Sequence, residues 1–190
     1  MGIELTGREE AEELYGGEDD PDLYVVHATD PGGETGWSIL GIHPDALGPD
    51  PDLRVLKNVL FWSAGELAGN ENDQVDELVE MIAMWPSARL VLEDFLLRKM
   101  SMGRELLAPV RISAALEWAV RPRYFVKQQS NLAFSTVDDD RLKAMGLWIP
   151  GKEHARDATK HALTFLKRIK DRAVRAGQSG RVFGRAASDE

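Results

Sequence analysis

The chain contains no cysteine. Disulfide staples and thiolate-held zinc are therefore excluded. No uninterrupted apolar run approaches the ~20 residues that a spanning helix needs. Residues 1–22 lack the basic-then-apolar order of a secretory signal. These absences fit a soluble protein of a reducing cytoplasm. Net positive charge is also missing: 23 Lys and Arg face 32 Asp and Glu, a formal net charge of −9. A protein that coats DNA through a uniformly basic surface is not expected from that balance. The charges are unevenly spread, however. Glu9, Glu10, Glu12, Glu13, Glu18, Asp19, Asp20 and Asp22 crowd one end, and Lys167, Arg168, Lys170, Arg172, Arg175, Arg181 and Arg185 crowd the other.

What is present suits one globular domain: 190 residues, of which 43% are hydrophobic. Residues 1–21 read as an acidic arm, 22–174 as the folded domain and 175–190 as a basic, flexible tail. Within the domain, strands are expected over 23–29, 37–42 and part of 54–62, with a proline-rich loop over 43–52. An amphipathic helix over 73–84 places Val75, Leu78, Val79 and Ile82 on one face and stops before Pro86. The run 88–97 holds an unbroken Leu90-Val91-Leu92 that suits a central strand covered on both sides. Helices over 103–119, 138–145 and 152–174, with a strand over 124–127 between the first two, complete the order β-β-β-α-β-α-β-α. That order predicts an α/β fold with a mixed sheet flanked by helices.

The stretch from Tyr24 to Trp37 is the most informative. A β-branched strand ends on Asp30, Pro31-Gly32-Gly33 turn the chain, and Thr35-Gly36-Trp37 open a second strand. Asp30 reads either as a turn opener or as a carboxylate placed to hold a metal. Glu93 lies within an apolar strand, where a charge is costly unless it is paired or metal-bound. Asp94 follows it and must face the opposite way on a regular strand. In the last helix, His154, Asp157 and His161 follow at i, i+3 and i+7 and share one face. Two readings stay open there: a solvated face with Asp157 and His161 paired, or a carboxylate that meets Asp30 and Glu93. Three such acids without thiols make a hard-oxygen site suited to Mg²⁺ or Mn²⁺. A zinc site on His154, Asp157 and His161 is short of ligands, with His27 and His43 as the remaining histidines.

Taken in order, these segments resemble the RuvC-like Holliday-junction resolvases of the RNase H-like superfamily. Asp30-Pro31-Gly32 with Thr35-Gly36 resembles the first motif, Leu92-Glu93-Asp94-Phe95 the second, and His154-Ala155-Arg156-Asp157-Ala158 the third. The resemblance spans roughly residues 22 to 172, and the short length, acidic arm and late basic helix look most like bacteriophage-encoded versions. It implies an RNase H-like fold with a central five-stranded mixed sheet, the Asp30 and Glu93 strands being parallel neighbours. It implies Asp30, Glu93, Asp157 and His154 as ligands of two Mg²⁺ or Mn²⁺ ions, and Lys127 near the scissile phosphate. A second basic residue would be Lys143 or Arg141, and an aromatic position after the second motif would fall on Phe95 or Leu96. It implies a homodimer that nicks two strands of a four-way junction and leaves 5′-phosphate and 3′-hydroxyl ends. For a phage protein the location would be the host cytoplasm.

An acidic chain must bind DNA through patches. Arg98, Lys99, Arg104 and Arg111 follow the second motif, and the C-terminal cations form another group. Each also reads as a solvated face. Leu106, Leu107, Val110, Ile112, Leu116 and Trp118 are apolar enough to serve both a core and a partner surface. Competing functions are a flap- or fork-processing nuclease and a catalytically silent nucleic-acid-binding protein on the same fold. An actin-like ATPase has little support, because the chain lacks a duplicated half.

Overall fold

Val25 and Val26 favour extended backbone, and the computed structural model places them in a central strand, β1 (Tyr24–Asp30). It describes residues 23–50, 52, 57–95 and 107–184. The Pro31-Gly32-Gly33 turn leads into β2 (Thr35–Ile42), which runs antiparallel to β1 with Asp30 opposite Gly36. Within the turn the Gly32 N–H donates to the Thr35 hydroxyl at 3.3 Å. A 3-10 turn over Pro44–Leu47 precedes β3 (Val59–Leu67), which is antiparallel to β2. This strand extends five residues beyond the stretch expected from sequence. Its small residues Ser63, Ala64 and Gly65 carry no strong apolar alternation, so periodicity alone missed them.

Asn70 caps helix α1 (Glu71–Ala83) by accepting the Asn72 and Asp73 N–H groups, so the helix starts two residues earlier than expected. Then follow β4 (Arg89–Glu93), α2 (Ala108–Ala119) and β5 (Phe125–Gln128). Two short helices come next, α3 (Ser130–Thr136) and α4 (Asp139–Met145). The first of these was not foreseen: it is seven residues long and has no side-chain cap. Asp138 caps α4, and left-handed Gly146 (φ 73°) ends it. The last helix, α5 (Glu153–Gly184), continues ten residues past the expected end at 174 and into the segment expected to be a tail. Among the described residues no helix is long and apolar enough to cross a membrane.

The sheet order is β3-β2-β1-β4-β5, with β1, β4 and β5 mutually parallel. The fold is thus a mixed five-stranded α/β sheet flanked by helices. Side-chain alternation decides which face each strand residue serves. Val26, Ala28, Leu40, Ile42 and Val91 pack with Ala162, Leu163 and Leu166 of α5. On the opposite face Leu92 packs with Leu78 and Met81 of α1 and Ile112 and Leu116 of α2. Asp30 continues the Val26–Ala28 set and Glu93 follows Val91, so both acids face α5.

Candidate metal centre

The site lies where β1 and β4 end side by side. Their parallel register pairs Thr29 with Leu92, which sets Asp30 next to Glu93. Asp30 is buried, and the two carboxyl groups share a hydrogen bond. Helix α5 supplies the remaining groups. Its first turn is drawn onto the sheet by Glu66 of β3, whose Oε1 accepts the His154 N–H at 2.8 Å and the Ala155 N–H at 3.4 Å. The Glu66 carboxylate is only 7% exposed and has Lys152 at 3.5 Å. Gly36 makes this approach possible, because a Cβ there would collide with the His154 backbone. His154 is thereby placed with Nδ1 2.9 Å from Oδ2 of Asp30. Asp157, one turn on, lies close enough to Asp30 and Glu93 to perturb both electrostatically.

The protonation pattern is that of crowded carboxylates. Burial, followed by the bond to Asp30 and the nearby negative charges, pushes Glu93 up to about 9. Burial also acts to raise Asp30, but hydrogen bonds from His154 and Glu93 outweigh it and hold Asp30 below the ordinary value. The bond to Asp30 raises His154. Burial raises Asp157 against the opposing pull of Lys160. One proton is thus held in a cluster that would otherwise carry uncompensated negative charge. The Ser130 hydroxyl donates to the Glu93 carboxyl.

Hard oxygens from Asp30, Glu93 and Asp157, with the His154 imidazole, match the donor set of a divalent-cation site. In the present arrangement Asp30 is engaged with His154 and Glu93, and Asp157 with Lys160 at 2.9 Å. Among the described residues no three His, Asp or Glu side chains converge as a ready cage, nor do His154, Asp157 and His161 form the zinc arrangement considered above. His161 is fully buried on α5 with both ring nitrogens unpartnered, and burial lowers its pKa to about 4. His27 is equally buried, on the opposite face of β1, and His43 accepts the Asp45 N–H.

Lys127 is not brought to the acids. It pairs with Leu92 in register, so it shares that residue's face and forms an ion pair with Glu117 of α2 at 2.6 Å. Gln128, its neighbour, is opposite Glu93 and buried, and both of its amide atoms lack partners. Sequence reasoning also missed Lys160 and Glu66. A charged residue in a small-residue strand was the available signal for Glu66, and i, i+3 spacing from Asp157 the signal for Lys160. Asp94 follows the end of β4, where its N–H donates to the Gln128 carbonyl at 2.7 Å.

Of the expected DNA contacts, Arg98, Lys99 and Arg104 lie outside the described residues, as does Leu96, while Phe95 is half-buried. Arg111 is ion-paired with Glu71 of α1. Lys143 lies 3.4 Å from Asp140 and stands over the Trp148 ring, which Arg156 also covers. Arg141 donates to the Thr136 carbonyl. Among the partner-surface candidates, Ile112 and Leu116 belong to the core; Leu107, Val110 and Trp118 are exposed, and Leu106 is outside the described residues.

This architecture is the RNase H-like fold. A structure of RuvC from T. thermophilus in complex with a Holliday junction substrate superposes with a TM-score of 0.54 at 17% identity, over 79% of this chain and 97% of that one. A second RuvC structure, from Thermus thermophilus, gives 0.45 at 18% identity over 74% and 92% of the two chains. No family model matches the sequence, and no curated protein does.

Proposed function

We propose that this chain is a divalent-metal-dependent endonuclease of branched DNA that resolves four-way junctions by paired nicks. The observation that carries the reading is the contact between Asp30 and Glu93 at the ends of parallel β1 and β4, faced by Asp157 and His154 from α5. The RuvC of similar fold, solved with a Holliday junction substrate, supports the choice of substrate.

Asp30, Glu93, Asp157 and His154 would hold Mg²⁺ or Mn²⁺. A divalent ion at such a site supplies an acidified water as nucleophile and polarises the phosphodiester. The chain's own groups prepare for that. Glu66 fixes the start of α5, so His154 and Asp157 reach the sheet as one rigid unit. Ser130 orients the Glu93 carboxyl. The acids repel a phosphodiester until positive charge joins them, so cutting is coupled to loading. Arg98, Lys99, Arg104, Arg111 and Lys143 would contact the DNA backbone. A homodimer would bring two sites to two strands and leave 5′-phosphate and 3′-hydroxyl ends. The place of action would be the cytoplasm, that of the host if the chain is phage-encoded.

One observation favours a second reading, a silent binding protein on the same fold: Lys127 turns away from the acids to Glu117. The deciding experiment incubates the protein with labelled four-way junction, flap, linear duplex and single strand, each with Mg²⁺, Mn²⁺ or EDTA. Asp30→Asn runs beside it. Paired junction nicks lost in EDTA and in the variant are expected. Equal or better cutting of flaps would make it a broader branch nuclease. Junction binding with no cutting would leave the silent reading.

A further inference from the structure

Gln128 ends β5 with its side chain 2% exposed and with neither amide atom hydrogen-bonded. A buried amide without partners is costly, and native structures keep few of them. Its place in the sheet is specific. Gln128 pairs in register with Glu93 across parallel β4 and β5, and partners in register point to the same face. That face is the one towards α5, which Val91 serves two residues before Glu93. The strands are joined just beyond this point, where the Asp94 N–H donates to the Gln128 carbonyl at 2.7 Å. Neighbouring strands lie ~4.8 Å apart, and a glutamine side chain is as long as a glutamate. The Gln128 amide therefore has the Glu93 carboxyl within its range.

We infer that Gln128 is a positioning residue for Glu93: in the loaded site its Nε2–H donates to the Glu93 carboxylate and fixes the direction in which that group meets the ion. The inference rests on the metal-dependent reading above. In the present arrangement the Glu93 carboxyl is engaged by the Ser130 hydroxyl and by Asp30. A divalent ion that replaces the proton between the two acids ends their hydrogen bond and frees acceptor capacity on Glu93, since an ionised carboxylate offers two oxygens and only accepts. The nearby unpaired donor is then satisfied. Carboxylates that hold a metal are themselves hydrogen-bonded by an outer set of groups. An amide suits that task. A lysine here would compete with the ion for the same negative charge, whereas a neutral donor orients the carboxylate and leaves its charge to the metal. Ser130, two residues on, is a second neutral donor to the same carboxyl, so the end of β5 and the start of α3 form one support for Glu93.

The test is a Mn²⁺ titration of the full chain without DNA, beside thermal melts in EDTA. Ions on the acidic surface are removed from the count by subtracting Asp30→Asn. Gln128→Met, similar in length but apolar, is expected to bind the Asp30-dependent Mn²⁺ ~10–100-fold more weakly. Its metal-free Tm should equal or exceed that of the wild type, because the variant no longer buries an unpaired amide. A residue that only filled space would show the reverse, a lower Tm with affinity kept. Gln128→Leu serves if Gln128→Met does not fold. A third measurement needs no change at Gln128: in the wild type, NMR should show the Nε2 protons of Gln128 exchanging more slowly once Mg²⁺ is added, with no such change in Asp30→Asn. Affinity within ~2-fold of wild type in the folded variant, or exchange unaltered by Mg²⁺, would overturn the inference while leaving the metal reading intact. No Asp30-dependent Mn²⁺ in the wild type would overturn the metal reading and this inference with it.

Discussion

His154 Nδ1 and Asp30 Oδ2 lie 2.9 Å apart although 124 residues separate them in the chain. The contact joins the two halves of the candidate site, one from the edge of a turn and one from the first turn of the last helix. It also makes each group's charge depend on the other: the bond raises the histidine and, with Glu93, lowers the aspartate.

Asp30→Asn removes both a carboxylate ligand and the anchor of His154. Mutations that merely orient a metal ligand cost ~10–100-fold in affinity or activity. Loss of more than ~100-fold in junction cutting is therefore expected, with His154 titrating at lower pH. Cleavage rates and an NMR titration of the imidazole check the two parts.

The metal-free protein should lose stability as pH rises from about 6 to about 9. Glu93 and His154 both have raised folded pKa values, so each contributes stability below its unfolded value and loses it as pH climbs through the folded one. The depressed values of Asp30 and Asp139 act in the opposite sense, but below the ordinary carboxylate range of ~4. His161 and His27, lowered by burial to about 4 and about 3, also act in the opposite sense, but only below the ordinary histidine value of ~6.5. Thermal melts across that window in EDTA should show Tm falling with pH. Glu93→Gln should flatten the fall, and an unchanged slope in that variant would contradict the shared-proton picture.

Glu66→Ala removes the acceptor of two N–H groups at the start of α5. A lost cap of this kind costs ~1 kcal/mol. Because the cap also sets the position of His154, Mn²⁺ affinity should drop by ~10-fold at temperatures where the variant is still fully folded. Denaturation and Mn²⁺ titration of the same sample separate the stability loss from the positioning loss.

Lys127→Met breaks the pair with Glu117 on the far face of the sheet. Mn²⁺ affinity should therefore stay within ~2-fold of wild type, as for sites without shared partners. A large loss in the titration would place the lysine functionally with the acids after all.

Arg98→Ala with Lys99→Ala should weaken junction binding before it touches metal affinity. If both contact phosphates, the slope of log affinity against log salt falls by roughly 0.9 per contact. Fluorescence anisotropy at several salt concentrations reads this, and an unchanged slope would remove these residues from the DNA surface.

Much of this arrangement was readable in advance, for reasons that differ by element. Asp30 and Glu93 stand out in the sequence as a strand-end carboxylate and a charge in an apolar strand, and only the resemblance implies that their strands are neighbours; in the structure Val26, Ala28 and Val91 mark the face that both acids share. Lys127 could not be phased: β5 has four residues and Val126 is 42% exposed at the sheet edge, so alternation carries no signal there. Glu66 was hidden because its partner is the backbone of a residue 88 positions away. Lys160 was overlooked because its neighbour Asp139 sits on a separate helix. Parity and local spacing are written in the chain; pairings made by tertiary docking are not.

The docking of α5 against Gly36 and Glu66 has a consequence for synthesis. Chains emerge from the ribosome N-terminus first. Asp30 and Glu93 therefore leave it well before His154 and Asp157, and a growing chain has only half of the site. If the proposed nuclease reading holds, a product truncated before residue 153 should not cut DNA. On that reading, completion of the site would then wait on the docking of the last helix against the sheet.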